Sequence, residues 1–261
     1  MISFFRKIRQ SLIRQNKVTR YLVYAIGEIV LVVIGILIAL SINNANDTRK
    51  ERKELNNYLL KISNDVNRDI EQIAGLKIRR DYVREKAIQS FKLLLKNDFS
   101  NIELIREGGI CFIDFYFIPN KSGFEAIKSS TYLGEINNTK LDSLLTGYYA
   151  LVDLIENREK GFNAFIEEME AELNKSVDVL PSRATNSARW EQELLGMDST
   201  NSNWKKRFDE VILERISHNA FKAAIARTSE DFTYESRYEN LVDLGKNLVD
   251  EINDEIRRLE K

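Results

Sequence analysis

Residues Tyr21 to Ile42 read YLVYAIGEIVLVVIGILIALSI, 22 residues with a single charge. A helix rises about 1.5 Å per residue, so this stretch covers roughly 33 Å, enough for a bilayer core of about 30 Å. A buried helix of a soluble core seldom runs so far without a polar face. Ala39-Leu40-Ser41 loosely resembles a cleavage site. The apolar stretch, however, exceeds the 7–15 residues usual for a signal peptide. The reading is an uncleaved signal anchor, with residues 1–20 before it and residues 43–261 beyond it.

Charge sets the expected orientation. Arg6, Lys7, Arg9, Arg14, Lys17 and Arg20 precede the span with no acid among them. After it, Arg49, Lys50, Arg52 and Lys53 alternate with Asp47, Glu51 and Glu54. The positive-inside rule then places residues 1–20 in the cytoplasm and the C-terminal domain in the periplasm, as a single-pass protein of the inner membrane. The opening MISFFRKIRQSLI mixes Ile2, Phe4, Phe5, Ile8, Leu12 and Ile13 with cations. It reads either as an amphipathic helix on an anionic leaflet or as a disordered basic tail.

Glu28 is the one residue of the span that needs a chemical reason, because a carboxylate in hydrocarbon is costly. Glu28, Gly35 and Ile42 are seven apart and share a helix stripe, and Ala39 flanks it. Gly35 and Ala39 form a small-xxx-small pair that permits close backbone approach. Glu28, Gly35 and Ala39 are therefore the candidate residues for self-association in the bilayer; a lone glutamate near the headgroups is the alternative.

The residues YAIGEIVLVVIGILIALSINN, preceded by FFRKIRQ, resemble the hallmark of an uncharacterised family of small membrane proteins common in Bacteroidota. A second element of that family resembles Lys128-Ser129-Ser130, Gly134, Ile136, Asn137-Asn138, Leu141 and Tyr148-Tyr149. Asn44 and Ala45 stand where such relatives carry a tryptophan. The resemblance implies membrane residence, a bacterial origin and a variable helical domain, with no activity or cofactor to carry over.

Beyond the span, no glycine or proline occurs between Ser41 and Ala74. Leu55, Leu59, Ile62, Val66, Ile73 and Leu76 recur at helical spacing, with Asp69 interrupting them. This predicts a stalk or first bundle helix over 43–96, a coiled-coil seam or buried face, loosened at Asn43-Asn44. ICFIDFYFIP predicts a short irregular or β-like segment near 110–118, either a short strand or a buried segment laid across the bundle. Ser122 and Glu125 fit a capping box opening a short helix. Thr131 to Asn138 reads as a turn, and Leu141 to Leu173 as one long amphipathic helix. Residues 174–187 read as a loop, Trp190 to Leu195 as a short helix, and Gly196 to Asn203 as a second loop. Trp204 to Thr228 and Tyr234 to Leu259 follow as helices. The expected fold is mainly all-α, a transmembrane and stalk helix leading into an antiparallel bundle of four long helices.

Common catalytic chemistries find no residues. His218 is the only histidine and Cys111 the only cysteine. Zinc, haem and Cys-His arrangements therefore lack ligands, and no cofactor or metal is expected. His218 is read as capping or bordering a helix face and Cys111 as a buried small hydrophobe. Glu167, Glu168, Glu170 and Glu172 read as a solvated helix face. With 39 basic against 40 acidic residues, the chain has no general attraction to nucleic acid. The expectation is a non-enzymatic scaffold or interaction protein of the envelope, whose partners are the lipid bilayer, copies of itself and some envelope protein. A periplasmic small-ligand-binding or sensory module is the alternative.

Overall fold

The computed structural model describes residues 18–180 and 202–260. The expectations for the basic opening, for Trp190 to Leu195 and for most of the loops on either side of it fall outside those residues. The chain separates into two compact units, Met1–Asn57 and Tyr58–Lys261.

Helix α1 runs without a break from Val18 to Leu95. Asn43-Asn44 does not loosen it; Asn43 Nδ2 donates to Asp47 Oδ2 at 3.1 Å, one turn on. In the first unit the apolar stretch is exposed from Ile26 to Ile42, including Leu31 at 68 % and Leu37 at 61 %. No part of its most apolar window is buried, which separates it from the core helix of a soluble protein. Apolar surface on this scale is stable only when something other than water covers it. The protein is membrane-anchored through this one long apolar helix.

In the second unit the predicted stripe is buried at Leu59, Ile62, Val66, Ile73 and Leu76, and Leu55 before it is buried too. The helix stops at Asn97, which takes a left-handed φ of 52°. Asp98 N–H bonds Leu93 O at 2.9 Å and Asn97 N–H bonds Leu94 O at 3.1 Å, the two bonds of a Schellman ending. Short α2 (Ile102–Glu107) and a 3₁₀ turn (Gly108–Phe112) follow. Then come α3 (Ser122–Lys128), α4 (Leu133–Ile136) and the long α5 (Lys140–Ser176). The stretch predicted as a turn thus contains α4, and the stretch predicted as a loop from 174 is still helix to Ser176.

The single helix predicted from Trp204 is two. α6 (Ser202–Ser217) and α7 (Asn219–Ser229) are split at His218. His218 Nδ1 accepts from Ala220 N–H at 3.1 Å, so the histidine caps α7 as expected. α8 (Thr233–Leu259) completes the bundle.

The topology departs from an antiparallel bundle. Arg80 bonds Glu159 and Asp69 bonds Tyr148, and both pairs are 79 residues apart, so α1 and α5 run in the same direction. α8 opposes both: Lys77 meets Glu239, whereas Asp81, further along α1, meets the earlier Tyr234. Two parallel neighbours need a connection that travels the length of the bundle. Residues 113–121 provide it as an extended strap running back along α1 and α5.

Of the two readings of this segment, the strand reading fails, and the strap matches the one laid across the bundle. Its backbone is extended at Ile113 (φ −101°, ψ 132°), yet no strand forms among the described residues. Its inner N–H groups bond side chains of the helices instead of a neighbouring strand, which removes the ladder that defines a sheet. Phe115 and Phe117 point inward and are buried, while Tyr116 and Ile118 point outward and are exposed. The alternation of an extended chain is present; the partner strand is not.

Candidate functional site

The strap and the two parallel helices meet in a line of polar groups, buried at Asn163, Glu159 and Asp69 and half-buried at Gln72 and Asn120. Phe115 N–H donates to Asn163 Oδ1 at 3.3 Å, and Asn163 Nδ2 returns a bond to Phe115 O at 2.8 Å. Phe117 N–H donates to Glu159 Oε2 at 2.6 Å, and Ile118 N–H to Gln72 Oε1 at 3.0 Å. Asn120 gives Asp69 Oδ1 both its backbone N–H, at 2.9 Å, and its side-chain Nδ2, at 2.8 Å. Odd strap residues bond α5 and even ones bond α1, the two-sided pattern of an extended backbone in a groove. A buried backbone donor must be paired, and here helix side chains do it.

The capping box at Ser122 is absent. Ser122 Oγ donates to Asp65 Oδ2 at 3.1 Å and Gly123 N–H donates to the same oxygen at 2.8 Å. A carboxylate from α1 therefore caps α3 from outside, and the serine hydroxyl serves as a donor to it. A glycine is required at 123, because a Cβ there would sit 2.9 Å from Ile62 N of α1.

At the centre lies Arg80, 4 % exposed. Its Nη2 is 3.1 Å from Glu159 Oε1 and its Nη1 is 3.7 Å from Asp231 Oδ2. Tyr238 donates its hydroxyl to the same Glu159 oxygen. Phe115, Phe162, Tyr234 and Tyr238 surround the guanidinium with ring centroids 4.9–5.8 Å away. Such desolvated cation–π contacts offset part of the cost of burying the charge. Glu159 thereby joins α1, the strap and α8 through one carboxylate. The cavity beside Arg80, Asp231 and Tyr238 measures about 10 Å³. That is room for about one water molecule, whereas an organic ligand takes roughly 300–1,000 Å³.

Asp69 is fully buried, and burial raises its carboxyl above the ordinary value, against the lowering pull of Asn120 and Tyr148. A folded-state value raised above the unfolded one favours the protonated acid, so this group's contribution to stability falls as pH rises through the raised value. Asp69→Asn is accordingly expected to fold as stably as wild type near neutral pH, since the carboxamide keeps an acceptor for Asn120 and sheds the charge. Asp69→Ala leaves Asn120 and the Tyr148 hydroxyl, 3.1 Å away, without their acceptor and is expected to cost about 1–3 kcal/mol. Urea unfolding of both variants in detergent micelles checks the pair.

Cys111 is buried, as expected, and burial pushes its thiol up to about 12. Glu28, Gly35 and Ala39 all lie on the exposed surface of the apolar stretch of α1. A Cβ at Gly35 would meet nothing within 4 Å. Among the described residues, no group of three or more His, Cys, Asp or Glu is placed to hold a metal ion. Asp65, Gln72, Arg80, Glu159 and Asn163 were not singled out from the sequence. Two of them had a signal there, because Arg80 and Glu159 interrupt apolar stripes at helical spacing.

No curated protein and no solved structure matches the chain. A family model does, over residues 28–180, a stretch that holds most of the span, all of the strap and α5. It includes every strap anchor named above, whereas Asp231, Tyr234 and Tyr238 lie beyond it. Matched over more than half its length, the chain belongs to the DUF6090 family, a family of unknown function.

Proposed function

We propose that this chain is a non-catalytic membrane scaffold: its span self-associates in the inner membrane, and the bundle presents a surface to an envelope protein in the periplasm. The observation that carries the reading is where the buried charges go. Asp65, Asp69 and Glu159 spend their oxygens on amides of the strap and of α3, on a serine and two tyrosine hydroxyls and on an arginine, all of them fastening elements of the fold. The span supplies the other half, since Glu28, Gly35 and Ala39 share one exposed face and Gly35 leaves open space for a second backbone.

Self-association is tested by sedimentation equilibrium of the full chain in detergent. Gly35→Ile is expected to weaken association several-fold by holding the helices apart. Glu28→Gln should change it little, because polar contacts between membrane helices contribute only about 0.6–2 kcal/mol. A wild-type chain that stays monomeric at high protein-to-detergent ratio ends the association reading. Orientation is tested with Glu168→Cys, an exposed position on α5, with buried Cys111 as a silent background. A membrane-impermeant maleimide should label it once the outer membrane is permeabilised; labelling only after inner-membrane lysis reverses the topology. Crosslinked co-purification then identifies the companion.

A further inference from the structure

The strap is fastened differently from everything around it. Among the described residues, no backbone group from Asp114 to Asn120 bonds another backbone group; the bonds of Phe115, Phe117, Ile118 and Asn120 go to side chains of α1 and α5. The three long helices, by contrast, carry their own internal ladders and meet one another directly. Arg80 and Tyr238 join at Glu159, and Gly245 of α8 lies against Val66, Ile70 and Tyr148. None of those contacts passes through the strap.

The geometry also provides hinges and slack. The upstream end is Ile113, where the 3₁₀ turn gives way to extended backbone. The downstream end is Asn138, whose φ of 61° is left-handed, just before Thr139 caps α5. Asp65 and Arg80, the α1 residues at the two ends of the strap, are 15 positions apart, roughly 23 Å along a helix. Residues 114–137 reach roughly 80 Å when extended. Once α3 and α4 leave their seats, the segment has length to spare.

We propose that residues 114–137 form a hinged flap that lifts as one unit while α1, α5 and α8 stay packed, baring the groove of Asp65, Asp69, Gln72, Glu159 and Asn163. This goes beyond the scaffold reading and does not depend on it. The inner face of the flap, with Phe115, Phe117, Ile127 and Ile136 buried, sets the cost of opening. Tyr116, 48 % exposed, and Ile118, 69 % exposed, face outward on the closed flap. The uncovered side chains are acceptors spaced for an extended backbone, so the flap makes their availability conditional.

Hydrogen exchange of the full chain in detergent micelles, read by mass spectrometry, tests the proposal. Peptides covering 114–137 are expected to exchange faster than those of α1 (60–90), α5 and α8 by a factor on the order of 100, through one cooperative opening. Asp69→Ala weakens the closed state and should speed the flap by a further factor of about 10, whereas Tyr238→Phe removes a bond between α5 and α8 that survives opening and should speed the helices while leaving the flap at its wild-type rate. Flap amides protected as strongly as those helices would mean that the segment opens only when the bundle unfolds, and would overturn the proposal. So would a Tyr238→Phe variant that speeds the flap as much as the helices. Should that variant fail to fold, the wild-type rates decide alone.

Discussion

Glu159→Ala is expected to destabilise the bundle by about 3–5 kcal/mol, the cost of removing one partner from a buried ion pair. Arg80 sits 4 % exposed between Glu159 and Asp231, with four aromatic rings around it. Removing the nearer carboxylate leaves the guanidinium with Asp231 at 3.7 Å, inside a ring of aromatic side chains. Phe117 N–H and the Tyr238 hydroxyl lose their acceptor in the same step. Glu159→Gln keeps an acceptor for Phe117 and should therefore cost distinctly less than alanine. Thermal unfolding followed by circular dichroism, with the full chain in micelles, ranks the two. An alanine variant within 1 kcal/mol of wild type would show that the bundle relaxes to admit water at Arg80.

The second large effect is expected at glycine 123, where helix propensity alone would predict the opposite sign. Alanine is better than glycine inside a helix by about 1 kcal/mol. At Gly75 nothing lies within 4 Å of an added Cβ, so Gly75→Ala should stabilise by about 0.5–1 kcal/mol. At Gly123 the added Cβ would lie 2.9 Å from Ile62 N and Cγ1 and 3.1 Å from Asp65 Oδ2. The first of these is backbone in the middle of α1 and has nowhere to move. α3 must back away, and the Asp65 bonds to Ser122 and Gly123 stretch with it. Gly123→Ala is therefore expected to destabilise by about 1–3 kcal/mol, the usual range for overpacking. Urea midpoints moving in opposite directions for the two alanines would confirm the close approach; a stabilised Gly123→Ala would refute it.

The sequence alone determined the membrane-anchoring helix, the predominance of α-structure and most of the buried helical faces. Each rests on a local rule: length against bilayer thickness, or apolar residues returning every three or four positions. Leu59 to Leu76 on α1 and Leu141 to Leu173 on α5 followed those rules. Tertiary structure decided the rest. Asp65 replaced the expected capping box because a carboxylate 58 residues away, on another helix, reached Gly123 N–H first. The strand-like pattern at 113–118 formed no strand, since its extended backbone met helix side chains where a sheet would have offered a ladder. α1 and α5 came to lie parallel because the strap carries the chain back along the bundle, and no local propensity encodes which way a connection travels. Arg80 and Glu159 hid in helices rich in charge, where an ionic side chain ordinarily faces water. Each falls on the apolar stripe of its own helix, Arg80 between Leu76 and Val83 and Glu159 between Ile155 and Phe162. A charge at such a position can be buried only if an opposite charge from elsewhere in the chain arrives beside it, and that pairing exists only once the helices have packed.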